Sequence, residues 1–186
     1  TRITCMRRGI LLGSFDPIHK GNISMATAAL NKNLVDEVIF VPAYQNPWKT
    51  RSTDFDIRVI MTQLAVDDLK NCKVSIVDYF NIEPYYTSNT LKLLKQQYPE
   101  SELCIIVGAD TYVDIENWHE GKWILNNFEF IVVNRPGYEH SVKSHINNSL
   151  YVSSTEIRKL IKEDKQVYPL IPTAVECYIN EKNLYK

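Results

Sequence analysis

The sequence predicts an α/β protein whose core is a doubly wound parallel sheet with flanking helices. Short, continuously apolar runs recur along the chain, as expected for strands that are buried on both faces of a sheet. Stretches with apolar residues at helical spacing separate these runs, and such alternation indicates βαβ units. Glycine or polar residues follow several of the runs, at the strand ends where sheets of this kind bind ligands.

The strands are predicted from apolar and β-branched runs that end at glycine, proline or polar residues. The clearest is the run Leu-Cys-Ile-Ile-Val at 103–107, which Gly108-Ala109-Asp110 follow directly. We predict strands at 9–12, 36–42, 73–76, 103–107, 128–133 and 151–152.

The helices are predicted from apolar residues spaced three and four apart. Asp54 precedes one such stretch, where a carboxylate suits the helix dipole, and Pro99 ends another. The segment that carries Trp118, His119 and Trp123 is less regular. The predicted inward positions are Ile23, Ala26 and Leu30; Ile57, Ile60, Met61, Leu64 and Ala65; Leu91, Leu94 and Tyr98 in a helix from Thr90; Ile157, Leu160 and Ile161; and Val175, Tyr178 and Ile179 in a last helix near 173–183.

Length, charge and cysteine usage limit the class of protein. A chain of 186 residues suits one domain over 1–186. Its net charge of −1 provides no basic field for binding nucleic acid non-specifically. The four cysteines form no C-x-x-C pair, which argues against a zinc site and fits a reducing compartment. We find no apolar run of the ~20 residues that span a bilayer and no signal peptide, so we expect a cytoplasmic protein without a membrane partner.

Residues 13–22 lie between the first predicted strand and the first predicted helix. Backbone N–H groups and the positive end of a helix at such a turn favour a phosphate. Gly13 suits a tight turn, Pro17 stiffens the loop, and His19 and Lys20 open the helix beside Gly21. The alternative is an ordinary strand-to-helix connection with a solvated histidine.

Three further groups follow predicted strand ends. Lys49 offers a compact positive charge for a substrate phosphate, although a loop lysine is usually only solvated. Asp110 could accept a ribose hydroxyl, organise water around Mg²⁺ or simply cap a helix, and Trp118 could stack on a ring or belong to the core. Ser153-Ser154-Thr155-Glu156 suits a helix start that binds phosphate, and Arg158 lies one turn further on.

Two of these groups resemble the motifs of a known superfamily. Residues 13–22 fit nine of the ten positions of the class I nucleotidylyltransferase motif G-[ST]-F-D-P-x-H-x-G-H, with Asn22 in place of the second histidine. Residues 152–158 resemble its second motif, I-S-S-T-x-I-R, with Val152 in place of isoleucine. The resemblance implies a single Rossmann-like domain that binds ATP.

Other segments resemble the bacterial nicotinate-nucleotide adenylyltransferases within that superfamily. Residues 46–49 partly match the substrate loop P-P-H-K, and residues 86–91 resemble Y-T-x-D-T-L with Asn89 in place of aspartate. Trp118 lies eight residues after Asp110, as the tryptophan that stacks on nicotinate does after the family's G-x-D segment. Arg135-Pro136-Gly137 resembles the R-P-G loop near the adenine, and 167–179 resembles the C-terminal pattern.

The resemblance implies transfer of AMP from ATP to nicotinate mononucleotide, giving deamido-NAD and pyrophosphate, with Mg²⁺ bound to ATP and no metal ligand from the protein. The implied catalytic residues are His19, Asn22, Lys49 and Arg158. The implied ATP-binding residues are Gly13, Ser14, Phe15, His19, Asn22, Gly108, Asp110, Arg135, Ser153, Ser154 and Arg158. The implied nicotinate-mononucleotide-binding residues are Ser14, Asp16, Lys49, Thr87, Trp118 and His119.

Three alternatives remain open from the sequence. A pantetheine-phosphate adenylyltransferase usually carries threonine at the position of His19 and lacks the segment around Trp118. A nucleotide-binding regulator without catalysis is conceivable because of Asn22, although we expect an active, slowed enzyme. A nucleic-acid module of the aminoacyl-tRNA synthetase type would need a basic patch that this chain lacks.

Overall fold

A five-stranded, all-parallel sheet forms the centre of the computed structural model, which describes residues 5–45, 53–139, 141–147 and 150–186. The strand order is β3-β2-β1-β4-β5, and every neighbouring pair is parallel. The strands are β1 (Arg7–Gly13), β2 (Glu37–Pro42), β3 (Cys72–Val74), β4 (Glu102–Gly108) and β5 (Glu129–Val133). The predicted doubly wound sheet is therefore confirmed.

Both faces of the sheet are covered, because alternate residues of each central strand enter different hydrophobic clusters. Leu11 of β1 and Ile106 of β4 belong to one cluster, and their neighbours Ile10 and Ile105 belong to the other. This two-sided burial explains why the strands are apolar throughout rather than alternating with polar residues.

Helices connect the strands as the sequence predicts. They are α1 (Lys20–Asn31), α2 (Phe55–Val66), α3 (Thr87–Gln97), α4 (Ala109–Tyr112), α5 (Gly121–Asn127), α6 (Ser154–Lys162) and α7 (Thr173–Glu181), with 3₁₀ turns at Val77–Phe80 and Ile115–Asn117. Met25, Met61, Ile157 and Val175 bring α1, α2, α6 and α7 into the first cluster. Leu91, Leu94 and Ile124 bring α3 and α5 into the second.

Several local predictions are wrong. Residues 151–152 form no strand, since Val152 packs its buried side chain into the core without backbone pairing, and β5 instead forms a bridge from Val133 to Ile146. Ile60 faces outward and is 43% exposed, and α3 begins three residues before Thr90. Helix α5 was not predicted because seven residues are too few to display a helical period.

The strand order reverses between β1 and β4. From β1 the chain continues outward through β2 and β3, and it then returns to place β4 on the other side of β1. A crevice opens beyond the carboxyl ends of the strands at such a reversal. Gly13 and Gly108, the last residues of β1 and β4, therefore mark the position of the candidate site.

Candidate functional site

Two adjoining cavities occupy this crevice. The larger has a volume of about 940 Å³ and the smaller about 210 Å³. The residues that line both are Leu12, Thr87, Asp110, Thr111 and Trp118. The two cavities therefore form one continuous cleft with two compartments.

His19 lies in the wall of the smaller cavity and caps the N-terminus of α1. Its Nδ1 accepts a hydrogen bond from the backbone N–H of Asn22 at 3.2 Å, and the Asn22 Oδ1 accepts one from the backbone N–H of His19 at 3.1 Å. The His19 side chain is buried, with 7% of the residue exposed. Burial, followed by the positive charge of Arg135, lowers the pKa of His19 to about 4. A neutral ring that accepts at Nδ1 carries its proton on Nε2, which makes it a neutral donor.

Gly21 provides the space for this histidine. A Cβ atom at position 21 would lie 2.9 Å from His19 Nδ1 and 3.0 Å from His19 Cε1. A side chain at that position would push the imidazole away from the backbone N–H that it accepts from. Packing against His19 thus explains the glycine at position 21.

Gly108, Asp110 and Arg135 line the smaller cavity together with His19. The Arg135 Nε lies 3.6 Å from Asp110 Oδ1, and the Arg135 guanidinium lies 5.2 Å from the centroid of the Tyr151 ring. A Cβ atom on Gly108 would lie 2.6 Å from Asp110 Oδ1 and 2.8 Å from Arg135 Nε. A side chain at position 108 would displace this ion pair from its present position.

The larger cavity has an aromatic and polar lining. Trp118 and His119 lie on one side, with Gly13 and Ser14 at the end of β1. Trp118 Nε1 donates to Asp114 Oδ2 at 3.3 Å. The rings of His119 and Tyr86 stack with their centroids 4.0 Å apart. This compartment can hold a flat ring together with polar substituents.

The 153–158 segment contacts the 13–22 segment directly. Ser154 Oγ donates to the carbonyl oxygen of Pro17 at 2.9 Å, and Arg158 Nη1 donates to that of Asp16 at 2.8 Å. Ser153 precedes them as the N-cap residue of α6, without a side-chain capping bond. The two motifs quoted from the sequence therefore meet in space. None of these three side chains is among the described residues that line either cavity.

Two predicted ligand residues have side chains that face away from the cleft. Phe15 has a φ of 50° and is 3% exposed, with its ring 5.9 Å from that of Phe40 in the core. Asp16 is also buried, and its carboxylate accepts from Tyr185 Oη at 2.5 Å and from the backbone N–H of Thr53 at 3.2 Å. Both side chains hold the loop in place, because a left-handed φ and internal hydrogen bonds turn them inward. The prediction for Lys49 concerns a residue outside the described ranges.

Sequence reasoning missed two buried charged residues beside the cleft, Arg58 and Asp78. Arg58 lies on the same buried face of α2 as Met61 and Ala65. A charged residue within an apolar stripe was the available signal. Asp78 lies in the 3₁₀ turn before α3 and lines the larger cavity.

Three possible metal ligands lie near the amino ends of β4 and β5, on the side of the sheet away from the cleft. Within the described ranges, Glu102, Cys104 and Glu129 bring their ligand atoms within 4.8 Å of one another. Arg7 already pairs with both carboxylates and donates to Cys104 Sγ at 3.0 Å. The trio is therefore an ion-pair network around Arg7.

The chain is similar to known nucleotidyltransferases over nearly its whole length. The family model described as cytidylyltransferase-like matches residues 10–160. A Thermus thermophilus protein named "Probable nicotinate-nucleotide adenylyltransferase" is 37% identical over 97% of this chain and 100% of its own. The nicotinate-nucleotide adenylyltransferase of Bacillus subtilis is 36% identical over 96% and 97%.

A solved structure has the same fold. It is the Plasmodium falciparum nicotinic acid mononucleotide adenylyltransferase complexed with NaAD, with a TM-score of 0.82, 22% identity and coverage of 97% of both chains. In the part of this chain that the structure describes, no helix combines the length and apolar character needed to cross a membrane.

Proposed function

The chain belongs to the nicotinate-nucleotide adenylyltransferase family, and on this premise we propose that it transfers AMP from ATP to nicotinate mononucleotide. The products are deamido-NAD and pyrophosphate. The observation that carries the proposal is the two-compartment cleft between β1 and β4, with His19 and Arg135 in the smaller compartment and Trp118 beside the larger. It offers donors for phosphate next to space for a second nucleotide.

The reaction needs no covalent enzyme intermediate, because the nucleophile is already an anion. An oxygen of the acceptor's 5′-phosphate attacks the α-phosphorus of ATP. One P–O bond forms to the acceptor as the bond to pyrophosphate breaks, and the electron pair leaves with pyrophosphate. Catalysis then consists of holding the two phosphates in line and stabilising the charge that builds up on the α-phosphate.

The proposed roles follow from the hydrogen bonds in the cleft. His19 Nε2–H donates to an α-phosphate oxygen, since Nδ1 is already occupied by the backbone of Asn22. Arg135 supplies positive charge and Gly108 leaves room for it, while Asp110 accepts from a ribose hydroxyl. Arg158 and Ser154 fix the backbone of the 13–22 segment, and we propose that Arg158 also binds the triphosphate. Lys49 is proposed to neutralise substrate charge.

A divalent cation, which we propose to be Mg²⁺, accompanies ATP. Among the described residues, the carboxylates that line the larger cavity are those of Asp78, Asp110 and Asp114. Both oxygens of Asp78 already accept hydrogen bonds, which Tyr44, Asn81 and Thr90 donate. That donor set would suit a cation held mainly by phosphate oxygens, as is usual for Mg²⁺ at ATP sites, and Asp110 would accept a hydrogen bond from a water ligand of the cation. When bound, the cation supplies charge neutralisation on the triphosphate and on pyrophosphate.

The acceptor compartment favours nicotinate over nicotinamide. Trp118 offers a face for the ring, and we propose that the backbone N–H of His119 binds the ring substituent. A carboxylate accepts charge-assisted hydrogen bonds, which are stronger than those to a carboxamide. We therefore expect nicotinate mononucleotide to exceed the amide by at least about tenfold in kcat/KM, roughly 1.4 kcal/mol.

The four free thiols fit a reducing compartment, and we propose that the protein lies in the cytoplasm.

The test is a coupled assay of pyrophosphate release with ATP and a panel of acceptors. The panel contains nicotinate mononucleotide, nicotinamide mononucleotide and phosphopantetheine. Release with the first acceptor, at least tenfold above the second, supports the proposal. Equal rates with the two pyridine nucleotides contradict the preference, and release with phosphopantetheine alone replaces the proposal with the pantetheine-phosphate alternative. ATP binding without pyrophosphate release with any of the acceptors supports the alternative of a nucleotide-binding regulator without catalysis.

A further inference from the structure

Arg58 is the largest fully buried side chain among the described residues, with 2% of the residue exposed. Its guanidinium reaches three segments around the cleft and donates to four backbone carbonyl oxygens. These are the carbonyls of Thr53 at 2.7 Å, Ser14 at 2.8 Å, Ala43 at 2.6 Å and Tyr44 at 2.9 Å. The planar fork of five N–H donors is suited to such a junction, and a lysine ammonium cannot reproduce it.

Two of these four residues are held from both sides. Tyr44 donates its N–H to Asp78 Oδ2 at 2.7 Å while its carbonyl accepts from Arg58. Thr53 donates its N–H to Asp16 Oδ2 at 3.2 Å while its carbonyl also accepts from Arg58. Each residue therefore lies between a buried carboxylate and the buried guanidinium. Tyr44 and Thr53 are the points where the chain leaves β2 and enters α2.

The charges in this arrangement interact through peptide groups rather than through a direct ion pair. Burial lowers the pKa of Arg58, and the nearby carboxylates of Asp16 and Asp78 act in the opposite direction. A buried charge is costly unless its hydrogen bonds are satisfied, and here they are satisfied by loop backbone. A fold that needed only stability could fill this position with an apolar side chain. Because burying the arginine charge costs free energy, its presence here indicates a role in positioning the backbone.

The backbone that Arg58 holds forms part of the larger cavity. Ser14 and Ala43, whose carbonyls accept from Arg58, both line it, as does Asp78. His19, Gly108 and Arg135, which line the smaller cavity, receive none of these hydrogen bonds. Of the two cavities, the backbone that Arg58 contacts therefore borders only the larger.

We propose that Arg58, acting with Asp16 and Asp78, is a positioning residue that sets the geometry of the acceptor compartment. The inference rests on the proposed function, in which the larger cavity takes nicotinate mononucleotide and the smaller takes part of ATP. The inference predicts that loss of the network weakens binding of the acceptor more than binding of ATP. A residue that served only the fold would affect both substrates equally or neither.

The first test compares Arg58→Lys with a matched control, Arg8→Lys. Arg8 is an arginine with polar side-chain partners, Glu37 at 2.9 Å and Ser101, but it is only partly buried and lies at the end of β1 away from the cleft. We expect Arg58→Lys to raise the KM for nicotinate mononucleotide at least tenfold and the KM for ATP less than threefold. Arg8→Lys should leave both within twofold. Each variant is assayed well below its own measured melting temperature.

A second variant, Asp78→Asn, keeps the shape of the network and removes one charge. It should raise the KM for the acceptor at least threefold, and it carries the test if Arg58→Lys does not fold. Arg58 and Asp78 both contact the backbone of Tyr44. The increase in acceptor KM in the double variant should therefore be smaller than the product of the increases in the two single variants.

Three results would overturn the inference. They are an unchanged acceptor KM in folded Arg58→Lys, equal increases for both substrates, or fully multiplicative effects in the double variant. Absence of turnover by the unchanged protein with nicotinate mononucleotide would reject the proposed function and this inference with it. Turnover by the unchanged protein together with any of the three would reject the inference alone.

Discussion

His19 and Asn22 cap the first turn of α1 reciprocally, each accepting a hydrogen bond from the other's backbone N–H. The contact determines the state of the imidazole as well as the start of the helix. Protonation of His19 Nδ1 would place an N–H against the N–H of Asn22, so the arrangement favours the neutral ring. Burial, followed by the charge of Arg135, lowers the pKa of His19 to about 4, and the Nδ1 contact favours the same neutral form.

The first prediction is that the His19 imidazole titrates near pH 4, with Nε2–H as its neutral tautomer. The measurement is histidine ring NMR between pH 3.5 and 8, with His19→Gln used to assign the resonance. A midpoint near 6.5, the ordinary value for histidine, would contradict the burial and the Nδ1 contact.

The same shift makes stability depend on pH in a defined direction. The unfolded chain binds a proton at position 19 below about pH 6.5, whereas the folded chain does so only below about pH 4. Stability is therefore lost as pH falls through this window, by up to about 3 kcal/mol for this group. Urea unfolding at pH 7.5 and pH 4 should show a smaller acid loss in His19→Gln than in the unchanged protein, and an equal loss would reject the prediction.

The second prediction concerns Arg158, which joins α6 to the 13–22 segment through the Asp16 carbonyl. Arg158→Ala should raise the KM for ATP by a factor that corresponds to about 2 kcal/mol or more, because it removes charge-assisted hydrogen bonds. Steady-state kinetics with varied ATP provides the measurement. Lys159→Ala is the matched control, an exposed cation on the same helix. An ATP affinity unchanged in Arg158→Ala would show that the 153–158 segment only caps a helix.

The third prediction separates two tryptophans. Trp118 lines both cavities, whereas Trp123 packs edge-on against Phe128 with ring centroids 5.8 Å apart. Loss of a stacked aromatic face costs about 1–3 kcal/mol, so Trp118→Ala should weaken nicotinate mononucleotide at least about fivefold and leave ATP nearly unchanged. Trp123→Ala should lower the melting temperature without that selectivity. Equally weakened binding of both substrates in Trp118→Ala would contradict a role of Trp118 that is specific to the acceptor.

Much of the cleft could be predicted because its residues are close in sequence to strand ends. His19 lies in the 13–22 segment that follows β1, and Asp110 lies just after the end of β4. The carboxyl ends of parallel strands lie together at one side of the sheet. For His19 and Asp110 a local pattern was sufficient to indicate a place in the cleft. Arg158, predicted from a helix start that resembles a known motif, contacts the 13–22 segment but lines neither cavity.

The missing features depend on contacts between distant segments. The burial of Asp16 was not predicted, because nothing local indicates that Tyr185, 169 residues away, donates to its carboxylate. Arg58 is a single charged residue in an otherwise apolar helix face, and no periodicity shows which carbonyls it will reach. Val152 looked like a strand because burial and strand pairing leave the same apolar pattern in a short segment.

The last prediction concerns Asn22, where the 13–22 segment departs from the usual second histidine. A histidine at this position would lie one turn from His19 and could face the same phosphates. Asparagine provides a neutral side chain, whereas a protonated imidazole would stabilise the anionic transition state about twice as strongly per hydrogen bond. Asn22 also has a structural task, because its Oδ1 completes the cap of α1.

Asn22→His should therefore raise kcat several-fold to tenfold, equivalent to ~1 kcal/mol, with little change in either KM. It should also lower the melting temperature by about 2–4 °C, since loss of a cap costs about 1 kcal/mol in a protein of this size. Asn22→Ala is the matched control, which loses the cap and gains no imidazole, so its kcat should not rise. If Asn22→His leaves kcat unchanged while the fold is intact, Asn22 acts only as a helix cap. If the unchanged protein shows no turnover and Asn22→His does, the chain is a nucleotide-binding regulator that lost catalysis at this position.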